Sequence, residues 1–451
     1  MNLIYGIKDK PKFGQIILFA LQQLLAIMAA TIAVPAVINS SCGSEMTASA
    51  ALFGAGVGSI IYLLFTKSAS PVFLGSSFAF IGSMMSAFSG AASMAAGYYG
   101  LIIGAVMAGL VYVILAIVVK CSGVNWINKL MPPVIIGPTV AIIGLSLSSN
   151  AVGDVMRSSV EGGSTYIALL CGLVTLAVTM LASTYGKKQL KLIPFIVGIL
   201  AGYALASIFA VIGNATGNAA LVVINYSPFA EMGGVISLPN FSFMLGKGAL
   251  AEINGTYLLT LFSAYVPVAF VVFAEHLADH KNLSAIVGVD LLETPGLTRT
   301  LLGDGIGSMA GAVFGGCPNT TYGESIGCVA ITRNASTVSI WGAAVLCIIF
   351  SFITPLMAFL ESIPACVMGG VCIALYGFIA VSGFKMLQVV DLNKNRNLFV
   401  ASVIFITGVG GMSVTFGAVT IRTVACALIL GILTNVMLSK EKSDDGADKA
   451  E

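Results

Sequence analysis

Charge is what this chain has least of. Only 9% of its 451 residues are Asp, Glu, Lys or Arg, where soluble domains carry roughly 25%. A chain so poor in charge is not an ordinary soluble protein. The net charge of +2 gives no basic face for nucleic acid. Histidine is scarcer still, with two residues, His276 and His280. The nine cysteines are an odd number, and most lie in apolar segments: Cys121, Cys171, Cys347, Cys372 and Cys426. That is neither a disulfide framework nor a metal-ligand spacing; they read as small buried hydrophobes. No Walker A sequence is present, which disfavours ATP-driven work. No nucleophile–base pair or cofactor motif points to an enzyme, and neither a cofactor nor a metal is expected.

What is abundant is apolar side chains: 58% of residues are hydrophobic and the mean hydropathy is +1.00. With about 20 residues needed per span, the chain reads as an all-α polytopic membrane protein. Helices are expected near 15–38, 47–66, 98–119, 130–148, 164–184, 190–213, 254–280, 299–314, 336–354, 363–385, 396–413 and 415–438. Two shorter elements, near 72–84 and 318–332, are too rich in Ser, Thr or Gly for plain spanning helices. The total is fourteen segments. Lys8, Lys10 and Lys12 precede a first apolar run without an obvious cleavage site, so that run is read as a retained helix.

Basic residues orient the array. With both termini cytoplasmic, the inner side collects Lys8, Lys10, Lys12, Lys67, Lys120, Lys129, Lys187, Lys188, Lys191, Lys281, Arg299, Arg333, Lys385, Lys394, Arg396, Lys440, Lys442 and Lys449. Arg157 and Lys247 stay outside, and Arg422 lies in or near a span. This is the positive-inside bias; the expected location is the plasma (inner) membrane. The charged tail after Met437 reads as disordered.

The halves repeat. Phe53-Gly-Ala-Gly-Val-Gly-Ser59 recurs as Leu302-Gly-Asp-Gly-Ile-Gly-Ser308, each before a short polar element. Pro132-Pro-Val-Ile-Ile-Gly137 resembles Pro364-Ala-Cys-Val-Met-Gly369. Seven segments per half force the second half to enter from the opposite side, giving a 7+7 inverted repeat. An inverted repeat is the usual architecture of secondary transporters, with the site between interrupted elements of both halves. The glycines read as close helix packing, since a phosphate loop needs a strand before it in a soluble fold.

Two polar clusters stand out. Residues 316–333 place Asn, two Thr, Tyr and Glu324 at membrane depth, where an ionisable group usually lines a substrate or ion path. The second cluster is Phe273-Ala-Glu-His-Leu-Ala-Asp-His280. Glu275 and Asp279 are four apart, so they share a helix face and suit proton exchange. Two other readings stand beside that one. Glu275, His276, Asp279 and His280 are all metal-ligand types, or Asp279 and His280 form a solvated cytoplasmic helix end. The Asn-x-Ser/Thr sites at Asn254, Asn319 and Asn334 are taken as incidental.

Ala274-Glu-His, Leu74-Gly-Ser-Ser-Phe-Ala-Phe80 and Pro318-Asn-Thr-Thr-Tyr-Gly-Glu324 resemble the nucleobase–ascorbate transporter family (nucleobase:cation symporter-2). Within it they are most similar to the bacterial uracil:proton symporters. The resemblance covers about residues 10–438. Glu324 to Arg333 matches the family signature except that Ser325 replaces Asn, and the Gln-His pair of the first helix reads Gln22-Gln23. Position 279 is Asp where some uracil symporters have His.

The resemblance implies a core domain (1–120 and 246–355) moving against a gate domain (121–245 and 356–440), with 441–451 a cytoplasmic tail. It implies short antiparallel strands in segments 3 and 10. It implies import of uracil or a related nucleobase by proton symport. Glu275 and Glu324 would take the ring N–H groups, and backbone N–H of Phe78 and Gly323 would meet the carbonyls. Phe78 and Tyr322 would form a wall, with Tyr376 facing the site from the gate. Protons would be held by Glu275, Asp279 and Glu324. Gly137, Gly144, Gly369, Gly370 and Gly377 would permit sliding contacts. The rivals are a xanthine or urate permease of the same family, an anion transporter of the same fold and a channel. Whether two copies pair as a homodimer is left open.

Overall fold

A computed structural model of the chain describes residues 3–123, 132–187, 190, 193–416, 419–421 and 423–440. The tail 441–451 and Lys129, Lys188, Lys191 and Arg422 lie outside these residues. The first half contains α1 (Phe13–Cys42), α2 (Ala48–Phe65), β1 (Leu74–Ser76), α3 (Ile81–Ser89), α4 (Met94–Ser122), α5 (Pro133–Ser146), α6 (Ser148–Val155), α7 (Thr165–Tyr185) and α8 (Pro194–Thr216). Two one-turn helices, α9 (Ser227–Ala230) and α10 (Ser242–Leu245), lie in the long connection that follows. The second half contains α11 (Gly255–Val287), α12 (Leu297–Gly315), β2 (Asn319–Thr321), α13 (Gly323–Thr332), α14 (Thr337–Ser351), α15 (Thr354–Glu361), α16 (Ala365–Leu387), α17 (Asn395–Val409), β3 (Val414–Phe416), β4 (Val419–Ile421) and α18 (Thr423–Met437).

Among the described residues, eight helical stretches are long and apolar enough to cross a membrane, one of them α5 and α6 together, and α14, α17 and α18 are shorter apolar helices. Local chemistry sets their ends. Thr47, Ser93 and Asn254 cap α2, α4 and α11, each side chain accepting a backbone N–H of the first turn. Gly288, at φ 73°, closes α11 in the left-handed conformation that glycine adopts without strain.

The two short polar elements are each a strand followed by a helix. β1 and β2 pair antiparallel, Leu74 opposite Thr321, Gly75 opposite Thr320 and Ser76 opposite Asn319. Both strands are buried throughout. Extended backbone survives at such depth because each strand satisfies the other. Ser59 adds to this, accepting Leu74 N at 2.9 Å and donating to Leu74 O at 3.1 Å.

The repeated glycine motifs face each other across α2 and α12. A Cβ at Gly54 would lie 2.5 Å from Gly311 O, and one at Gly58 would lie 2.8 Å from Gly307 O. Only glycine allows that approach. Asn319 Nδ2 donates to Gly54 O at 2.9 Å, locking β2 onto the same seam. Elsewhere α16 packs on α5, α6 and α7, and α5 packs on α17. Gly137, Gly144, Gly369 and Gly370 make close approaches there, but only to residues within 121–245 and 356–440, so they join elements of the expected gate rather than letting core slide on gate, and Gly377 faces open space.

Several expectations need correction. The last helix does not span 415–438. Residues 414–416 and 419–421 form a second antiparallel strand pair and the helix starts at Thr423. Val-Thr-Phe and Val-Thr-Ile are β-branched and alternating, which favours strand over helix. The helix expected over 130–148 breaks at Leu147 and continues as α6 to Val155. That expected over 254–280 runs on to Val287, so His280 is not at a helix end. Cys121 is exposed, unlike Cys171, Cys347, Cys372 and Cys426.

Candidate functional site

Glu275 stands in the interior of α11, and Asp279 follows one turn later. Both carboxylates line a cavity of about 540 Å³, together with Gly323 and Glu324 at the start of α13 and with Leu375, Ile379 and Lys385 of α16. A smaller chamber of about 50 Å³ adjoins it, walled by Phe78, Glu275, Thr320, Tyr322, Gly323 and Glu324 among others. The two acids singled out from distant stretches of sequence therefore border the same space. Among the described residues the small chamber has no Lys or Arg in its lining.

Each wall residue is held by identifiable bonds. Tyr322 is buried and its hydroxyl donates to Ser76 O at 2.7 Å, so the ring bridges both strands. Thr321 Oγ1 donates to Asp279 Oδ2 at 2.7 Å, tying α11 to β2. Gly323 is the first residue of α13 and Glu324 the second. That end presents backbone N–H groups without intrahelical partners, and its dipole favours a carboxylate. Phe78 lies in the turn before α3, its carbonyl accepting Ile81 N at 3.1 Å. Its ring meets that of buried Tyr376 edge-on, with centroids 5.8 Å apart.

The histidine that follows each acid faces elsewhere. His276 Nδ1 lies 2.7 Å from Asp304 Oδ2, and its Nε2 lies 3.0 Å from Thr300 Oγ1. His280 Nε2 lies 2.7 Å from the Tyr62 hydroxyl, and Nδ1 lies 2.8 Å from His276 O. Both imidazoles are fully buried, and their rings stack with centroids 4.0 Å apart. The solvated-end reading of His280 is thus wrong, because Tyr62 of α2 covers it. The four ligand-type side chains do not converge either: the acids face the cavity and the imidazoles face α2 and α12.

Asp304 was not singled out in the sequence, although a carboxylate inside an apolar helix is itself a signal. It is buried, and with Tyr112, Ser308, Asn319 and Thr320 it borders a cavity of about 10 Å³. Ser325 and Gln23, two departures from the family pattern, are partners: Gln23 Nε2 donates to Ser325 Oγ, which also accepts Phe73 N at 3.0 Å. The asparagines at 254, 319 and 334, three of those in Asn-x-Ser/Thr sequences, have structural bonds. Asn254 caps α11, Asn319 grips Gly54, and Asn334 Nδ2 donates to Ser339.

The profile described as Permease family (Xan_ur_permease) matches residues 14–417. The chain belongs to this family, that of the nucleobase:cation symporters-2. It is 39% identical to the uracil permease of Bacillus caldolyticus over 438 residues, covering 96% of this chain and 94% of that protein. The uracil permease of Bacillus subtilis (strain 168) is 36% identical, with 99% and 97% covered. That of Escherichia coli (strain K12) is also 36% identical, with 95% and 92% covered. Among solved structures, the transmembrane domain of the cyanobacterial bicarbonate transporter BicA aligns with a TM-score of 0.61 at 15% identity, covering 95% of this chain and 99% of that one. Murine Slc26a9, an anion transporter in the inward-facing state, aligns at 0.63 and 13%, covering 96% and 69%. These two likenesses concern the fold alone. The chain is a multi-pass membrane permease.

Proposed function

We propose that this permease imports uracil across the plasma membrane by proton symport. The observation that carries the reading is the convergence of Glu275 and Glu324, from separate elements, on one small chamber. Uracil is flat and neutral, with two N–H donors and two carbonyl acceptors. An ionised carboxylate only accepts, so the two acids suit the ring N–H groups. Backbone N–H of Phe78 and Gly323 suits the carbonyls, and Phe78 and Tyr322 supply apolar faces, with Tyr376 packed against the Phe78 ring. The uracil permeases similar over nearly the whole chain support the same substrate.

Transport proceeds by alternating access, the core domain (1–120 and 246–355) moving against the gate domain (121–245 and 356–440). Packing supports that division, with α2 against α12 and α14, and α5 and α7 against α16. Fourteen segments in two inverted sets of seven account for the antiparallel β1–β2 pair and the facing glycine motifs. The larger cavity reaches Asn282 and Lys385, so it opens to the side assigned to the cytoplasm by the basic residues. Glu275, with Asp279 and Glu324 beside it, carries the coupled proton.

Uptake of radiolabelled uracil into cells or proteoliposomes tests the reading. It should collapse on adding an uncoupler. Uptake driven by sodium and indifferent to the proton gradient would overturn the coupling, and competition by xanthine as strong as by uracil would favour the purine rival. An anion carrier would want a cation facing the chamber, where two carboxylates stand instead.

A further inference from the structure

We infer that the cavity of about 210 Å³ between α3, α5, α6, α11 and α18 is an outer station, where a planar heterocycle with alternating N–H and C=O groups binds before it reaches the two acids. This rests on the proposed nucleobase transport.

Position is the first argument. The outer cavity shares Phe78, Ala79 and Ile143 with the 50 Å³ chamber, and the chamber shares Glu275, Gly323 and Glu324 with the 540 Å³ cavity. Three spaces therefore lie in series. Two helices give the same order. Along α11, Ala264 and Val268 line the outer space, Glu275 the chamber, and Asp279 and Asn282 the inner space. At 1.5 Å per residue, Val268 and Asn282 are about 20 Å apart along the axis. Along the other route, Val140 of α5 lines the inner space, Ile143 the chamber, and Ser146 with Asn150 of α6 the outer space.

Chemistry is the second argument. The outer cavity has four times the volume of the chamber beyond it. Phe78 offers it an aromatic wall, Ile143 and Val268 offer apolar ones, and Ser83, Asn150 and Thr423 add polar groups. The Asn150 amide carries a donor and an acceptor side by side. That pair complements the N–H and C=O edge of a pyrimidine, and among the described residues no charged side chain lines the space. The Phe78 ring lines both the outer cavity and the chamber and rests edge-on against buried Tyr376.

Gly82 allows a direct test. It lines the outer cavity, and a Cβ there meets nothing within 4 Å. Gly82→Leu fills the space from a helix position that tolerates leucine. In proteoliposomes the variant should lower uracil uptake about tenfold or more, while equilibrium uracil binding by detergent-solubilised protein stays within about twofold of wild type. Asn150→Ala should raise the external KM about fivefold and leave the KM for efflux from the inner side unchanged, with Asn150→Gln restoring part of the loss. Wild-type uptake in both variants would overturn the station. So would equal losses of uptake and detergent binding, which would mark the region as structural. If wild-type protein binds no pyrimidine at all, the functional reading fails and the station with it. If wild type binds uracil and the variants transport normally, the station alone fails.

Discussion

The two crossed elements, β1 with α3 and β2 with α13, have the same construction and opposite chemistry. Each is a three-residue strand leading into a short helix, and the strands pair with each other. The first is Leu-Gly-Ser followed by Ser-Phe-Ala-Phe and lends the chamber Ser77, Phe78 and Ala79. The second is Asn-Thr-Thr followed by Tyr-Gly-Glu and lends it an aromatic wall, hydroxyls and a carboxylate. The helices before them differ in the same sense. Ala55 of α2 stands where α12 has Asp304, and only Asp304 meets a histidine. A repeated frame thus supplies geometry twice, and polar chemistry is concentrated in one copy. Backbone pairing suffices to hold an interrupted segment in a membrane, whereas a buried carboxylate needs a partner, so duplicating the acids would add cost without adding a second substrate.

Substitutions can break or sharpen this contrast. The largest effect should come from the chemical half. Glu275→Gln and Glu324→Gln should each lower uracil uptake by about 100-fold at equal amounts in the membrane, since removing an ionised acceptor loses about 1.5–3 kcal/mol. Uptake within about threefold of wild type in either variant would sink the assignment of that acid. The seam between the halves comes next. Gly54→Val puts a side chain against Gly311 backbone and should destabilise the detergent-solubilised protein by about 1–3 kcal/mol. Gly323→Ala, where a Cβ meets nothing within 4 Å, should leave thermal stability near wild type.

Asp304→Ala makes the second glycine motif resemble the first. It strands buried His276 and should cost about 1–3 kcal/mol in stability. The double variant His276→Leu with Asp304→Ala should lose less than the sum of the single changes, and simple additivity would mean that the contact is not energetically coupled. The smallest effect belongs to the wall. Tyr322→Phe removes one hydrogen bond to Ser76 O and should cost about 1 kcal/mol. A larger loss in uptake than in stability would show that the hydroxyl acts on substrate.

The legible parts of the molecule were those written in consecutive residues. Apolar runs marked most helices to within a few residues, since a helix satisfies its own backbone and a membrane rewards apolar side chains. The Ser-, Thr- and Gly-rich stretches at 72–84 and 318–332 betrayed the interrupted segments for the same reason. The strands at 414–416 and 419–421 are not separable from a helix by hydropathy, because their residues are apolar as well as β-branched.

Sequence alone determined that this chain lives in a membrane, that its halves echo each other, and that Glu275 and Glu324 are out of place in apolar surroundings. Tertiary structure decided what each polar group meets. His280 is buried because Tyr62, 218 residues away, reaches it. Asp304 matters because His276 turns toward it, and Gln23 binds Ser325 across 302 residues. Such pairings depend on how helices pack and rotate, and neither composition nor periodicity records the direction in which a distant side chain points.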